Sequence, residues 1–132
     1  MPTLHTGLQP VEHGQLGWNI YLPKRDLVVE SLPFQTKSGE PINPAENPLF
    51  AGEPIYPQLE AAGIDTHIIE PFDASNDPKT TGATTHIYNS PADFALRLRR
   101  VLEQSSGPTY CYGYTPLIDT AGHAEGTRSE LH

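Results

Sequence analysis

Basic residues, cysteine and long apolar runs are all scarce in this chain of 132 residues, and each scarcity excludes something. Eight Lys and Arg stand against 16 Asp and Glu, a formal net charge of −8. A chain of that balance is poorly suited to tracking nucleic-acid backbones or anionic membrane surfaces, and the excess of acid serves solubility. The single cysteine, Cys111, excludes an internal disulfide. No apolar run approaches the ~20 residues of a membrane span, and Met1-Pro-Thr-Leu-His5 has no signal-peptide character. The expected location is cytoplasmic if Met1 is the natural start, and open if the chain is truncated. Also absent are a Gly-rich phosphate loop, a G-x-S-x-G elbow, a C-x-x-C pair, a heptad and any internal repeat.

Proline is abundant instead. Fourteen prolines and an apolar fraction of 36% leave less of the chain than usual for regular structure. The length suits one modest domain, with roughly 70% of the unfolded surface available for burial. Thr6-Gly7-Leu-Gln-Pro10 is a helix-stop pattern with almost no helix before it, which implies a chain begun upstream of Met1. Leu27-Val-Val29 predicts a short strand. From Pro33 to Pro57 six prolines predict a long irregular excursion over the surface.

A helix is expected to start at Pro54 or Pro57, with Ile55, Leu59 and Ala62 as its apolar stripe and Gly63 as its stop. Thr66-His-Ile-Ile69 predicts a strand bounded by Pro71, and residues 71–86 read as loop, with turn signals at Asn76-Asp-Pro78 and Thr81-Gly82. Ser90 is an N-cap, with Pro91 at the first helical position and Asp93 in the first turn. Phe94, Leu98, Val101 and Leu102 form the stripe of that helix, expected over 91–104, Arg97, Arg99 and Arg100 face outward, and Gly107 closes it. Residues 109–114 predict a buried strand in which Cys111 is a small apolar filler. The alternation of helix and strand gives an α/β fold class: a mostly parallel sheet layered by helices, and only part of a complete one.

The chemistry concentrates at the end of that last strand. Asp119 follows the apolar run, and a small-residue turn presents His123 four positions later. A carboxylate and a neutral imidazole both suit Zn²⁺, and a spacing of four lets one helical turn aim them at one ion. D-x-x-G-H alone is a weak pattern, since an acid at a strand end and a histidine in a Gly-rich segment are usually just solvated. His13, between glycines 7, 14 and 17, reads either as the orienter of a phosphate loop or as a turn-holding histidine bonded to a backbone carbonyl, the second reading being favoured. Trp18 is either a stacking platform or a buried anchor, again with the second favoured. His67 and His86 read as ordinary surface or core histidines.

Taken together, two of these segments resemble the type I phosphodiesterase/nucleotide pyrophosphatase family of the alkaline phosphatase superfamily. Leu4-His-Thr-Gly-Leu-Gln-Pro-Val-Glu-His13-Gly14-Gln-Leu-Gly-Trp18 looks like its T-G-x-x-P-x-x-H-G segment. Tyr112-Gly-Tyr-Thr-Pro-Leu-Ile-Asp119-Thr-Ala-Gly-His123-Ala-Glu-Gly126-Thr-Arg-Ser129 looks like its Y-x-P-x-x-D-x-x-G-H-x-x-G-x-x-S motif. Leu59-Glu-Ala-Ala-Gly63-Ile and Gly82-Ala83 fit more weakly between them.

The resemblance implies a partial alkaline-phosphatase-like fold and a phosphoric ester hydrolase using two zinc ions, or other divalent ions, with a Thr or Ser nucleophile. Carried over by position, Asp119 and His123 are ligands of one ion. The nucleophile, the remaining acid, the Asp-His pair and the last histidine ligand fall outside residues 1–132, so these residues imply an incomplete catalytic domain with no catalytic residue of its own. Thr3 and Thr6 sit too close to the T-G turn to replace the nucleophile. The implied partner is a small phosphate ester or nucleotide, with no nucleic acid, no membrane and an open oligomeric state. The alternative is a non-catalytic remnant or a partner-dependent module without turnover.

Overall fold

The computed structural model describes residues 2–31, 35–43, 52–71 and 78–126, arranged around two three-stranded sheets. The first sheet is antiparallel and consists of β1 (Asn19–Leu22), β2 (Leu27–Glu30) and β3 (Gln35–Thr36). The Leu27-Val-Val29 run is β2, as its β-branching predicts. Asp26 closes the β1–β2 turn at φ 49°, a left-handed conformation that a short polar side chain tolerates, and it accepts a hydrogen bond from the Tyr21 hydroxyl at 2.8 Å. Leu22, Val29 and Ile42 form the buried cluster of this sheet, with Ile20 and Leu27 packed against it. Part of the proline-rich excursion is therefore structural. Residues 35–43 supply β3, a Gln35–Pro41 bridge and a core side chain, while residues 32–34 and 44–51 lie outside the described residues.

The second sheet carries the α/β character. It consists of β4 (Asp65–Glu70), β5 (Thr84–Ile87) and β6 (Thr109–Gly113), all parallel, in the order β5-β4-β6. Ile68 and Ile69 in β4 are both fully buried although they point to opposite faces, as a central parallel strand covered on both sides requires. One face meets α4 (Pro91–Gln104), whose Phe94 ring lies directly over Gly113. The opposite face, bearing Tyr110 and Tyr112, meets α1 (Pro2–Thr6) and α3 (Tyr56–Ala61) through the rings of His5 and Tyr56. This is a mixed α/β fold with a parallel sheet between helices, as expected from the sequence.

The local chemistry of these elements follows the sequence signals closely in places. The Ser90 hydroxyl accepts from the Asp93 amide at 3.1 Å and so caps α4, while the Asp93 carboxylate accepts from the amide of Asn89, the residue before the cap. Gly7 ends α1 with φ 71° and its amide on the Thr3 carbonyl at 2.9 Å.

Other expectations are corrected. Residues 84–87 form β5 rather than loop, while residues 72–77, which hold most of the Asn76-Asp-Pro78 signal, lie outside the described residues. Helix α4 itself ends at Gln104 as expected, where the Ser105 hydroxyl donates to the Val101 carbonyl at 2.7 Å. Leu102 is exposed, and Arg97 is half-buried and bonded to Asp93 at 3.1 Å instead of facing outward. In α3 the deepest residue is Tyr56, outside the expected stripe, and Ala62 is exposed. Strand β6 is only half-buried because it lies at a sheet edge among the described residues, so Cys111 is a half-buried thiol whose pKa burial pushes up.

Candidate functional site

The order β5-β4-β6 means that the chain leaves β4 to one side and returns on the other. Such a reversal opens a crevice outside the carboxyl ends of the strands, where open α/β sheets bind ligands. In this sheet that position lies outside the ends of β4 and β6. Tyr88 ties the strand ends together: its amide donates to the Glu70 carbonyl at 3.0 Å and its hydroxyl to the Tyr114 carbonyl at 3.1 Å. The Tyr114 amide extends the ladder to the Ile69 carbonyl at 3.0 Å. Glu70, the last residue of β4, is buried at this edge and was missed by sequence reasoning. Its signal was present: an acid closing a buried apolar strand, immediately before Pro71.

Asp119 and His123 are placed just beyond β6 by α5 (Leu117–Glu125). The segment is helical, not the small-residue turn expected, with Gly126 at φ 84° as its cap and the Gly126 amide on the Gly122 carbonyl at 3.0 Å. Helical spacing brings the two together: His123 Nε2 lies 3.6 Å from Asp119 Oδ1. Two donors on one tetrahedral zinc at ~2.0–2.1 Å stand about 3.3 Å apart, so a small side-chain rotation converts the pair into a chelate. Both side chains are largely exposed, at 83% for His123 and 76% for Asp119, and no residue of α5 is buried. Among the described residues no group of three or more His, Cys, Asp and Glu side chains is arranged to hold a metal ion. The two side chains are of a kind and spacing that zinc accepts, and they would make up two of the three or four protein ligands that a zinc site needs.

The T-G…H-G segment packs as structure. His13, the last residue of α2 (Pro10–His13), is fully buried, and its Nδ1 accepts from the Gln15 amide at 3.1 Å, which leaves the proton on Nε2 to donate to Thr3 Oγ1 at 2.9 Å. It holds the turn, as the favoured reading had it, although through a backbone amide rather than a carbonyl. The Thr6 hydroxyl donates to the Pro2 carbonyl at 2.9 Å and accepts from the Leu8 amide at 3.1 Å. Both threonine hydroxyls thus hold backbone or turn, in keeping with neither being a nucleophile.

His5, unremarked in the sequence, joins this segment to the parallel sheet. Its Nδ1 is hydrogen-bonded to the Tyr56 hydroxyl at 2.5 Å, and its ring meets Tyr112 edge-on at 4.7 Å. Burial, and then the neighbouring Glu70 carboxylate and the Tyr114 and Tyr110 phenols, push the Tyr112 phenol up to about 12. Tyr112 is therefore a neutral packing group at any physiological pH.

Trp18 is 53% exposed and does not act as a buried anchor. It borders a cleft of about 220 Å³ with Pro2, Gln15, Leu16, Gly17 and Ser31, and its indole N–H donates to Glu30 at 3.3 Å. His67 and His86 are not independent histidines. His67 Nδ1 lies 3.1 Å from His86 Nε2 across β4 and β5, an N–H···N contact. Burial, then the proximity of His67 and of Arg97, lowers the His86 pKa.

No protein-family model matches the sequence, and no curated protein matches it. The mixed α/β fold nonetheless has a counterpart among solved structures. Over 98% of its length the chain is similar to murine ectonucleotide pyrophosphatase/phosphodiesterase 5, solved in an inactive form in complex with AMP, with a TM-score of 0.56 and 21% sequence identity. It spans 34% of that protein's chain. At this identity the likeness establishes the fold.

Proposed function

We propose that this chain forms the Asp119/His123 corner of a metal-dependent phosphoric ester hydrolase of the phosphodiesterase/nucleotide pyrophosphatase type. The observation that carries the reading is the Asp119–His123 pair, set by α5 just past the carboxyl end of a parallel strand and beside the sheet's switch point. The fold likeness to a nucleotide pyrophosphatase/phosphodiesterase supports it. Asp119 Oδ1 and His123 Nε2 are the atoms that would hold one of two zinc ions. A zinc ion held by these two side chains would supply Lewis-acid polarisation of a phosphoryl oxygen and charge neutralisation. The reading also requires a Thr or Ser nucleophile and further ligands, which Asp119 and His123 do not themselves supply. The substrate is a small phosphate ester or nucleotide, and residues 1–132 alone bind zinc weakly and turn over nothing.

A second reading, a non-catalytic module, draws on the exposure of both donors and on their being only two. Zinc titration by calorimetry separates the readings. A weak binding component lost in both Asp119→Ala and His123→Ala supports the metal corner, and a titration with no component sensitive to either substitution supports the module. For the complete protein containing this chain, zinc-dependent hydrolysis of bis(4-nitrophenyl) phosphate that is lost in the same variants is the expected result. Hydrolysis unaffected by chelation overturns the proposal.

A further inference from the structure

His67 and His86 hold another unassigned pair of metal-binding atoms, on different elements from Asp119 and His123. His67 lies in the middle of β4, while β5 pairs His86 with Ile69, so both imidazoles stand on the sheet face that α4 covers. Their nitrogens, His67 Nδ1 and His86 Nε2, approach to 3.1 Å with the rings tilted by 32°. Two nitrogens on one tetrahedral zinc at ~2.0–2.1 Å lie about 3.3 Å apart, so the observed spacing needs an adjustment of only a few tenths of an ångström. Both residues retain partial solvent access, which gives an ion a route in.

We infer that His67 and His86 form a two-histidine clamp for a borderline divalent cation of the zinc or copper(II) type, joining β4 to β5. Imidazole is the donor those ions favour, and copper(II) binds the more tightly of the two. In the apo pair one ring donates its proton to the other. To chelate, that ring moves its proton to its other nitrogen, so two neutral imidazoles take up the ion with no net proton released. Remaining positions on the ion are filled by water.

The surroundings favour this use and also limit it. Burial helps keep His86 in the neutral, ligating form. Arg97 of α4 puts positive charge near His86 but is itself bonded to Asp93 at 3.1 Å, which offsets part of the repulsion. Cys111 pairs with His67 across β4 and β6 and so lies on the same face, although it is not arranged with the two histidines as a three-ligand group. The inference is independent of the proposed function, because it uses none of the same residues.

The test is calorimetric titration of the whole 132-residue chain with Zn²⁺ and with Cu²⁺, in wild type, in His67→Gln, in His86→Gln and in an Asp119→Ala/His123→Ala double variant. The expected result is a binding event separate from any that the Asp119→Ala/His123→Ala double variant loses: it survives in the double variant and weakens by about 10-fold or more in each His→Gln variant. A thermogram unchanged by His67→Gln and His86→Gln overturns the inference, whatever the double variant shows. Should a His→Gln variant fail to fold by circular dichroism, ring ¹⁵N shifts of the wild type decide. Movement of the His67 and His86 resonances on adding Zn²⁺ sustains the clamp, and movement confined to other histidines, or none, refutes it.

Discussion

Replacing Gly113 by alanine tests how β6 is held against α4, and through it the edge on which the candidate site is built. A Cβ at this position would lie 2.8 Å from Phe94 Cζ and 3.0 Å from Phe94 Cε2. Carbon atoms rest at about 3.5–4.0 Å, so the nearest overlap is roughly 0.7 Å or more. Phe94 cannot simply swing aside, because its ring stands edge-on to Tyr88 with centroids 5.2 Å apart. Overpacking of this kind costs about 1–3 kcal/mol. Alanine also restricts the unfolded chain relative to glycine, which returns roughly 0.5–1 kcal/mol. The difference is a net destabilisation of roughly 0–2.5 kcal/mol, centred at about 1 kcal/mol.

Urea denaturation followed by circular dichroism measures that loss, which corresponds to a melting-temperature drop of about 3–5 °C per kcal/mol. Phe94→Leu in the Gly113→Ala background should recover part of it, giving a coupling of about 1 kcal/mol in a double-mutant cycle. Gly113→Ala above wild-type stability, or a strictly additive double variant, refutes the reasoning.

Two further outcomes follow from the same structure. Ser90→Ala removes the cap of α4 and should cost about 1 kcal/mol in the same denaturation, while Ser90→Thr or Ser90→Asp should cost clearly less; equal losses for all three would show the cap to be idle. The folded-state pKa of His86 lies below its unfolded value of 6.5, so the unfolded chain takes up the proton first. Stability from this group is present above about pH 6.5 and is lost as the pH falls through the lowered folded pKa. His86→Gln should therefore shrink the difference between urea midpoints at pH 7.5 and pH 5.5, and an undiminished difference would sink the assignment.

How much of this was legible beforehand differs by element, for physical reasons. Helix α4 was readable almost to the residue because its start depends on local chemistry, a serine cap followed by proline and aspartate. Strand β5 was not readable, because Thr84-Thr-His-Ile87 is short and lies within turn signals; its strand character comes from pairing with β4, a contact more than a dozen residues away. The stripe of α3 misled because a six-residue helix buries whichever side chain meets the sheet, here Tyr56 against Tyr110. In the site, the i,i+4 proximity of Asp119 and His123 was legible from spacing alone. Glu70, His5 and the His67–His86 contact were not, since each depends on strand register or on α1 docking across the sheet.

The exposure of α5 carries the argument one step further. A nine-residue helix with no buried residue lies below the length at which helices persist in water on propensity alone. Its Asp119–His123 contact at 3.6 Å is an exposed pair of small worth. Amides 120–125 should therefore exchange with solvent far faster than those of β4, whose ladder is central and buried. An ion bridging Asp119 and His123 links two successive turns and binds only the helical form, so it stabilises α5 by RT ln(1 + [Zn²⁺]/Kd), about 2.7 kcal/mol at a hundredfold excess over Kd. Hydrogen exchange with saturating zinc should slow at 120–125 by about two orders of magnitude, and Asp119→Ala or His123→Ala should abolish the slowing. Zinc protection that persists in both variants would mean that α5 is ordered by something other than these two side chains, and the metal corner would lose its physical basis.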